Sequence, residues 1–297
     1  MSGNIYYQKC PSCGNGNIAA VLTCKDYLVS QEKFELWQCA GCSLRFTQDV
    51  PEPASIGRYY QSENYISHSD SEKGLINKLY KIARRFTLAA KRKLVLKYTG
   101  LQTGNLLDTG CGTGAFLQAM KNAGWQVTGL EPDAGARNKA KALYGIEPLP
   151  SDALFQLSES FFNAITLWHV LEHVHDLHGY LARFRKLLAP GGRLIIAVPN
   201  YTSADAVHYR EYWAACDVPR HLYHFSPSAM QQLAARHGFT LKTIRPMLLD
   251  SFYISMLSEQ YINGKGNLLK AMLRGIGFTF AALSNRQKSS SLIYIFE

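Results

Sequence analysis

The sequence predicts an α/β protein with a small cysteine-rich ribbon at its N-terminus, and three observations carry that prediction. Two C-x-x-C pairs, Cys10 with Cys13 and Cys39 with Cys42, stand near the start of the chain. From about residue 104, short apolar runs alternate with helix-length amphipathic segments, as in a sheet whose strands are joined by helices. The first of those runs ends in Asp108-Thr109-Gly110-Cys111-Gly112-Thr113-Gly114, a turn that lets a ligand approach the backbone at a sheet edge. At 297 residues and 47% hydrophobic content, the chain has room for one large and one small domain, and its composition excludes disordered and fibrous classes.

The ribbon is expected over residues 1–50. Its two cysteine pairs, about 25 residues apart, supply four thiolates for a closed tetrahedral ion, so Cys10, Cys13, Cys39 and Cys42 read as ligands of a structural zinc rather than a catalytic one. Seven cysteines is an odd number, which argues against a disulfide framework. Residues 51–100 read as a linker, with Tyr59, Tyr60 and Tyr65, followed by a basic amphipathic helix over about 72–98. Leu75, Leu79, Ile82, Phe86 and Ala89 define its apolar face, and Lys78, Lys81, Arg85 and Arg92 lie along another. The third region, 101–297, opens with a strand at Asn105–Asp108, a helix at 115–123, a strand at Gln126–Leu130 and a helix at 134–143. It continues with a strand at Ala164–Leu167, a helix from Leu177 to Leu188 capped by Asp176, and a strand at Arg193–Val198. Ser226-Pro227 starts another helix, and strands at Thr240–Ile244 and Ser291–Phe296 flank a helical insertion at about 250–288. Its apolar run is too short and too charged to span a bilayer, and it reads as a core-packing or lid helix ahead of a membrane-surface one because buried apolar helices are far commoner.

The chemistry is concentrated where strands end. Asp108 precedes the first glycine, and an acid there suits an ammonium better than a phosphate; the spacing also departs from the dinucleotide G-x-G-x-x-G fingerprint. Glu131 ends the next strand, 23 residues on, where a carboxylate can accept from both hydroxyls of a ribose. Asp152 falls where a third strand should end, placed to meet an adenine amino group. Leu106 through Gly114, Gly129-Leu130-Glu131-Pro132, the stretch from Phe161 to Asp176 around Trp168-His169-Val170-Leu171-Glu172-His173, and Leu187 through Gly192 resemble successive motifs of class I S-adenosylmethionine-dependent methyltransferases. Within that family the chain is similar to bacterial small-molecule enzymes with an N-terminal zinc ribbon, many of them in sugar or cell-surface pathways. The resemblance implies a Rossmann-like seven-stranded sheet. It also implies that Asp108, Gly110, Gly112 and Gly114 hold the methionine moiety of S-adenosyl-L-methionine, Glu131 the ribose, and Asp152 with Ala153 the adenine. Asn163 departs from the family pattern, where aspartate is usual, and should affect how its strand begins more than the chemistry.

Histidines cluster in two windows, 169–178 and 221–224. His169 is expected beside the methyl donor as cofactor contact or base, and His173 as structural. A metal reading of His169, Glu172 and His173 is discounted because the order is not H-E-x-x-H. His221 or His224, in a loop beyond the fifth strand where an acceptor pocket forms, is the candidate base for an acceptor hydroxyl. The expected function is therefore methyl transfer to a small molecule, a sugar, nucleotide-sugar or lipid-linked precursor of polar or anionic character. Two alternatives stand beside it: an RNA methyltransferase using the ribbon and basic helix, and a non-catalytic cofactor-binding scaffold. Residues 72–100 hold 9 basic and 1 acidic residue of a chain with net charge +10, whereas 101–257 hold 13 and 12, a nearly neutral body. The basic helix and the 258–297 tail are expected to pack near each other and face an anionic acceptor or membrane surface. The N-terminus lacks a basic segment followed by an apolar run, so the expected compartment is the cytoplasm.

Overall fold

The computed structural model describes residues 3–61, 75–264 and 268–297, with the backbone alone at 75–84 and 268. Tyr65, the first residues of the expected basic helix and the side chains of Leu75, Lys78, Leu79, Lys81 and Ile82 lie outside the described residues. The ribbon begins with β1 (Asn4–Ile5), followed by the antiparallel strands β2 (Ile18–Lys25), β3 (Lys33–Cys39) and β4 (Arg45–Thr47), and it ends at β5 (Val50–Pro51), which pairs back onto β1. Asp26 closes the β2–β3 turn, its carboxylate accepting from the backbone N–H groups of Leu28, Val29 and Ser30 at 2.8–3.2 Å.

A long helix, α1 (Leu75–Thr99), leads into β6 (Asn105–Thr109), α2 (Ala115–Lys121), β7 (Gln126–Leu130) and α3 (Ala134–Tyr144). Then come β8 (Phe162–Trp168), α4 (Leu177–Leu187), β9 (Leu188–Pro199), α5 (Ala204–Tyr209), β10 (Tyr223–His224) and α6 (Pro227–Arg236). The chain closes with β11 (Leu241–Pro246), α7 (Asp250–Asn263), α8 (Leu268–Ser284) and β12 (Ser291–Phe296). The large sheet runs β11-β12-β9-β8-β6-β7; β7, β6, β8 and β9 are parallel, and β12 and β11 antiparallel. Six strands are therefore hydrogen-bonded among the described residues. Where the resemblance implies a seventh, Leu149 makes a single parallel bridge to Leu130.

Alternation along the strands sends residues to two cores, one on each face. Leu107, Ile165, Leu167, Ile196 and Tyr294 belong to one; Leu106, Ala164, Ile195 and Ile293 belong to the other. On the first face, α4 contributes Leu177, Leu181, Phe184 and Leu187 at helical spacing. Both expected caps form: Asp176 accepts from Gly179 N at 2.9 Å and Ser226 from Ala229 N at 3.1 Å. At the start of β6, Asn105 N donates to Asn163 Oδ1 at 2.9 Å, so the departure at Asn163 acts on strand placement.

Two expectations need correction. The second half of α1 lies against α2 and the sheet through Leu88, Val95 and Tyr98, whereas Phe86, expected on the apolar face, is exposed. Sheet contact sets the buried face: at about 3.6 residues per turn, Leu88, Val95 and Tyr98 point about half a turn away from the stripe counted from Leu75, and Ala89 of that stripe is exposed as well. The insertion forms a helical hairpin in which α8 buries Ala271 and Ala282 but leaves Leu269, Met272, Leu273, Phe280 and Leu283 exposed, so it is packed on one face only. No described helix is long and apolar enough to cross a membrane.

Candidate functional site

The parallel strands end along one edge, and the expected cofactor residues meet there. Gly110, Gly112 and Gly114 have φ of +68°, +55° and +78°, a region that L side chains rarely adopt. A Cβ at Gly110 would run into Val170, and one at Gly112 would meet nothing within 4 Å, so the turn is closed beneath and open above. Glu131, at the end of β7, braces it: one carboxylate oxygen accepts from Gly112 N at 2.8 Å and the other from Asp133 N at 3.0 Å. Each oxygen keeps a lone pair for a further donor. Asp152 and Ala153 sit in a short 3-10 turn after the Leu149 bridge, Asp152 exposed and Ala153 half-buried.

Asp108 is buried at the end of β6, with Thr166 Oγ1 donating to its Oδ1 at 2.6 Å. Burial pushes its carboxyl up to about 7, opposed by Thr166 and by the nearby Lys91. Lys91 was not singled out from the sequence. It reaches in from α1, its ammonium 4.4 Å from the centre of the Trp168 ring, and burial lowers its pKa against the pull of Asp108 and Asp250. Its signal was present as a cation three residues after Leu88 and four before Val95, on the packed face.

His169 follows β8 with φ +60° and its N–H bonded to Ala197 O. Its Nδ1 lies 3.4 Å from Glu172 Oε1 and its Nε2 3.2 Å from Asp250 Oδ2 at the start of α7. Burial opposes the charge, yet these two carboxylates outweigh it and push the ring up to about 10. The two carboxylates favour the charged ring, which suits contact with a cofactor. Asp250 is a second residue missed from the sequence, since nothing in a chain-distant helix start marks it as a partner of His169.

The second histidine window docks the ribbon. Tyr223 and His224 form β10, which pairs with β4 and makes the ribbon sheet four-stranded in the order β10-β4-β3-β2. His224 is buried at that seam with Nε2 3.3 Å from Thr47 Oγ1, and burial holds its pKa well below the ordinary value. Thr47 also donates to His221 O at 2.6 Å, and His175 and His178 bond the ribbon carbonyls of Pro51 and Pro11 at 3.0 Å each. Arg220 is fully buried between Asp26 of the ribbon at 2.9 Å and Asp217 at 2.6 Å. His221 turns the other way, toward Glu172 and His173, with ring centroids of the two histidines 4.7 Å apart.

The four ribbon cysteines converge. Cys10 Sγ is 3.6 Å from Cys42 Sγ and Cys13 Sγ 3.5 Å from Cys39 Sγ, too long for a disulfide and close to the edge of a tetrahedron with bonds of about 2.3 Å. Gly41 N donates to Cys39 Sγ at 3.3 Å, support that a thiolate needs. The set fits a four-sulfur metal ion.

A family described as a methyltransferase domain matches residues 80–244. A curated relative, ubiquinone biosynthesis O-methyltransferase of Psychrobacter arcticus, is 31% identical over 162 residues, 49% of this chain and 62% of that protein. Demethylmenaquinone methyltransferase of Tropheryma whipplei is 30% identical over 110 residues, 35% of this chain and 46% of that protein. The chain thus spans less than two thirds of these relatives. Among solved structures, a SAM dependent methyltransferase from Archaeoglobus fulgidus superposes with a TM-score of 0.50 at 18% identity over 72% of this chain and 93% of that one, a likeness of fold.

Proposed function

Because the chain belongs to the methyltransferase domain family, we propose that it transfers a methyl group from S-adenosyl-L-methionine to an oxygen of a small molecule. The observation that carries the reading is the conjunction at one sheet edge of the buried acid Asp108, the turn open above Gly112 and the braced carboxylate of Glu131. Bound there, the donor supplies a sulfonium methyl with a neutral leaving group. Asp108 takes the ammonium of its methionine moiety and Lys91 the carboxylate. Glu131 accepts from the ribose hydroxyls, and Asp152 with Ala153 borders the adenine. His169, fixed by Asp250 and Glu172, lies beside the methyl.

What remains for the protein is alignment, since holding nucleophile and methyl in line at about 3–3.5 Å supplies most of the acceleration such a displacement needs. A zinc ion in the four-cysteine site holds the ribbon, and the ribbon holds the loop bearing His221 against the body. The acceptor is a hydroxylated small molecule. The relatives named as O-methyltransferases of ubiquinone biosynthesis favour a quinone-type hydroxyl, and the ribbon-bearing resemblance favours a sugar linked to a nucleotide or lipid.

Calorimetric titration with S-adenosylmethionine, followed by transfer of labelled methyl to a panel of nucleotide-activated sugars and hydroxylated quinone precursors, tests the reading. Saturable donor binding and labelling of one panel member are expected. Failure to bind millimolar donor would sink it, and transfer to structured RNA with a steep salt dependence would reassign the acceptor.

A further inference from the structure

Glu172 presents a problem that methyl transfer does not solve. Its side chain is fully buried, yet neither carboxylate oxygen accepts a hydrogen bond. The nearest charged group, His169 Nδ1 at 3.4 Å from Oε1, is in ion-pair contact only and is shared with Asp250. Taking a carboxylate out of water without hydrogen-bond donors is strongly disfavoured unless cationic groups offset it.

Two histidines face the same point. His173 Nδ1 lies 3.0 Å from Arg220 O and His221 Nδ1 lies 2.9 Å from Ala215 O. A carbonyl can only accept, so in each ring Nδ1 carries the hydrogen and Nε2 keeps its lone pair. The ligand atoms of Glu172, His173 and His221 all lie within 4.8 Å of one another. The other carboxylate at hand, Asp217, has Oδ2 3.8 Å from His221 Nε2, while its Oδ1 is taken by Arg220. Two imidazole lone pairs and a carboxylate that accepts no hydrogen bond thus converge on one point.

We propose that Glu172, His173 and His221 bind a divalent transition-metal ion, distinct from the four-cysteine site, through one carboxylate and two imidazole Nε2 atoms. The donor set of two nitrogens and one oxygen suits Zn²⁺, Fe²⁺ or Mn²⁺ and leaves coordination positions open. Each histidine already has the outer hydrogen bond to a backbone carbonyl that orients a ligating ring and fixes its tautomer. Glu172 and His173 lie in the turn that follows β8, beyond the same strand end as His169. On the methyl-transfer reading, with which this proposal is combined only for its use, an open position would hold the acceptor's oxygen. The sequence order hid the site because two ligands come from one turn and the third from a loop 48 residues later.

The experiment needs neither donor nor acceptor, so its outcome is separate from the test of methyl transfer. Wild-type protein and the Glu172→Gln and His221→Gln variants are saturated with zinc chloride, dialysed, and their metal content measured by atomic emission. Two zinc ions per wild-type chain and one in each variant are expected. One zinc in the wild type, or two retained in both variants, overturns the site. Should a variant fail to fold, anomalous scattering at the zinc edge from wild-type crystals grown with zinc chloride decides. A peak between the three side chains, besides the one at the cysteines, supports the site, and its absence refutes it.

Discussion

Asp108 shows how one residue's environment turns into a measurable dependence on pH. Burial raises its carboxyl to about 7, so in the absence of ligand the folded chain holds a proton there that the unfolded chain releases near 4. The sign follows: this group's contribution to stability is present below its unfolded value and is lost as pH rises through about 7. Donor binding runs the opposite way, because the ammonium of S-adenosylmethionine needs the ionised form. Affinity should therefore rise with pH and level off above about 7, changing by up to about tenfold per unit below it. Calorimetry between pH 5.5 and 8.5 checks this, with Asp108→Asn expected to bind more weakly and without that dependence; a flat wild-type profile would remove Asp108 from the ammonium site. At this scale the sequence was legible where a residue's role is set by its place at a strand end. Asp108 and Glu131 stand at such ends, and both lie where their positions predicted. Asp250 and Glu172 draw their significance from partners brought together by the fold, which no local pattern displays.

Among the elements, α1 changes meaning most. From the sequence it is a cationic helix, and nine basic residues in 72–100 invite an electrostatic reading. In the structure its second half is part of the α/β body, packing Leu88, Val95 and Tyr98 toward the core that holds Phe116 and Trp125. Lys91 comes with that face and stands over Trp168 near Asp108. If Lys91 pairs the donor carboxylate, Lys91→Met removes a charge-assisted hydrogen bond worth about 1.5–3 kcal/mol. The dissociation constant for S-adenosylmethionine should then rise by about 10- to 100-fold with little change in melting temperature, since the methionine keeps the aliphatic packing. An unchanged constant would return the helix to a purely structural role. The strands β6, β7, β8 and β9 and the helices α2, α3, α4 and α6 were readable because their apolar periodicity and caps are local, whereas α5 and β10 fall in the stretch that reads as a loop. The missing third strand was not: Leu149 contributes a single bridge, and one pair of hydrogen bonds leaves no periodicity to read.

Across the whole molecule, the ribbon and the body share one interior. Cys10, Cys39, Cys42, Leu44 and Phe46 belong to the same apolar cluster as Leu167, Ile196 and Phe225, and β10 completes the ribbon's sheet. Cysteine spacing announced the ribbon, but nothing in that spacing says what it packs against, so the sequence left it as a separate module. The shared core makes the cysteine site a support for the loop that carries Arg220 and His221. Thr47 donates to His221 O, Thr47 N bonds Leu222 O, and Asp26 pairs with Arg220. Replacing Cys39 and Cys42 with serine should therefore weaken two things of different kinds. Thermal stability should fall, because a closed thiolate site contributes its binding free energy to folding. Methyl transfer should fall by at least about tenfold through a displaced acceptor loop, a loss of about 1.4 kcal/mol in transition-state stabilisation. Donor affinity should stay within about threefold of the wild type, below 1 kcal/mol, because Asp108, the glycine turn and Glu131 rest on β6 and β7, away from the seam. Melting curves, labelled-methyl transfer and donor titration on the double variant separate these effects. Equal losses in donor binding and transfer would mean that the ribbon supports the entire fold rather than the acceptor side.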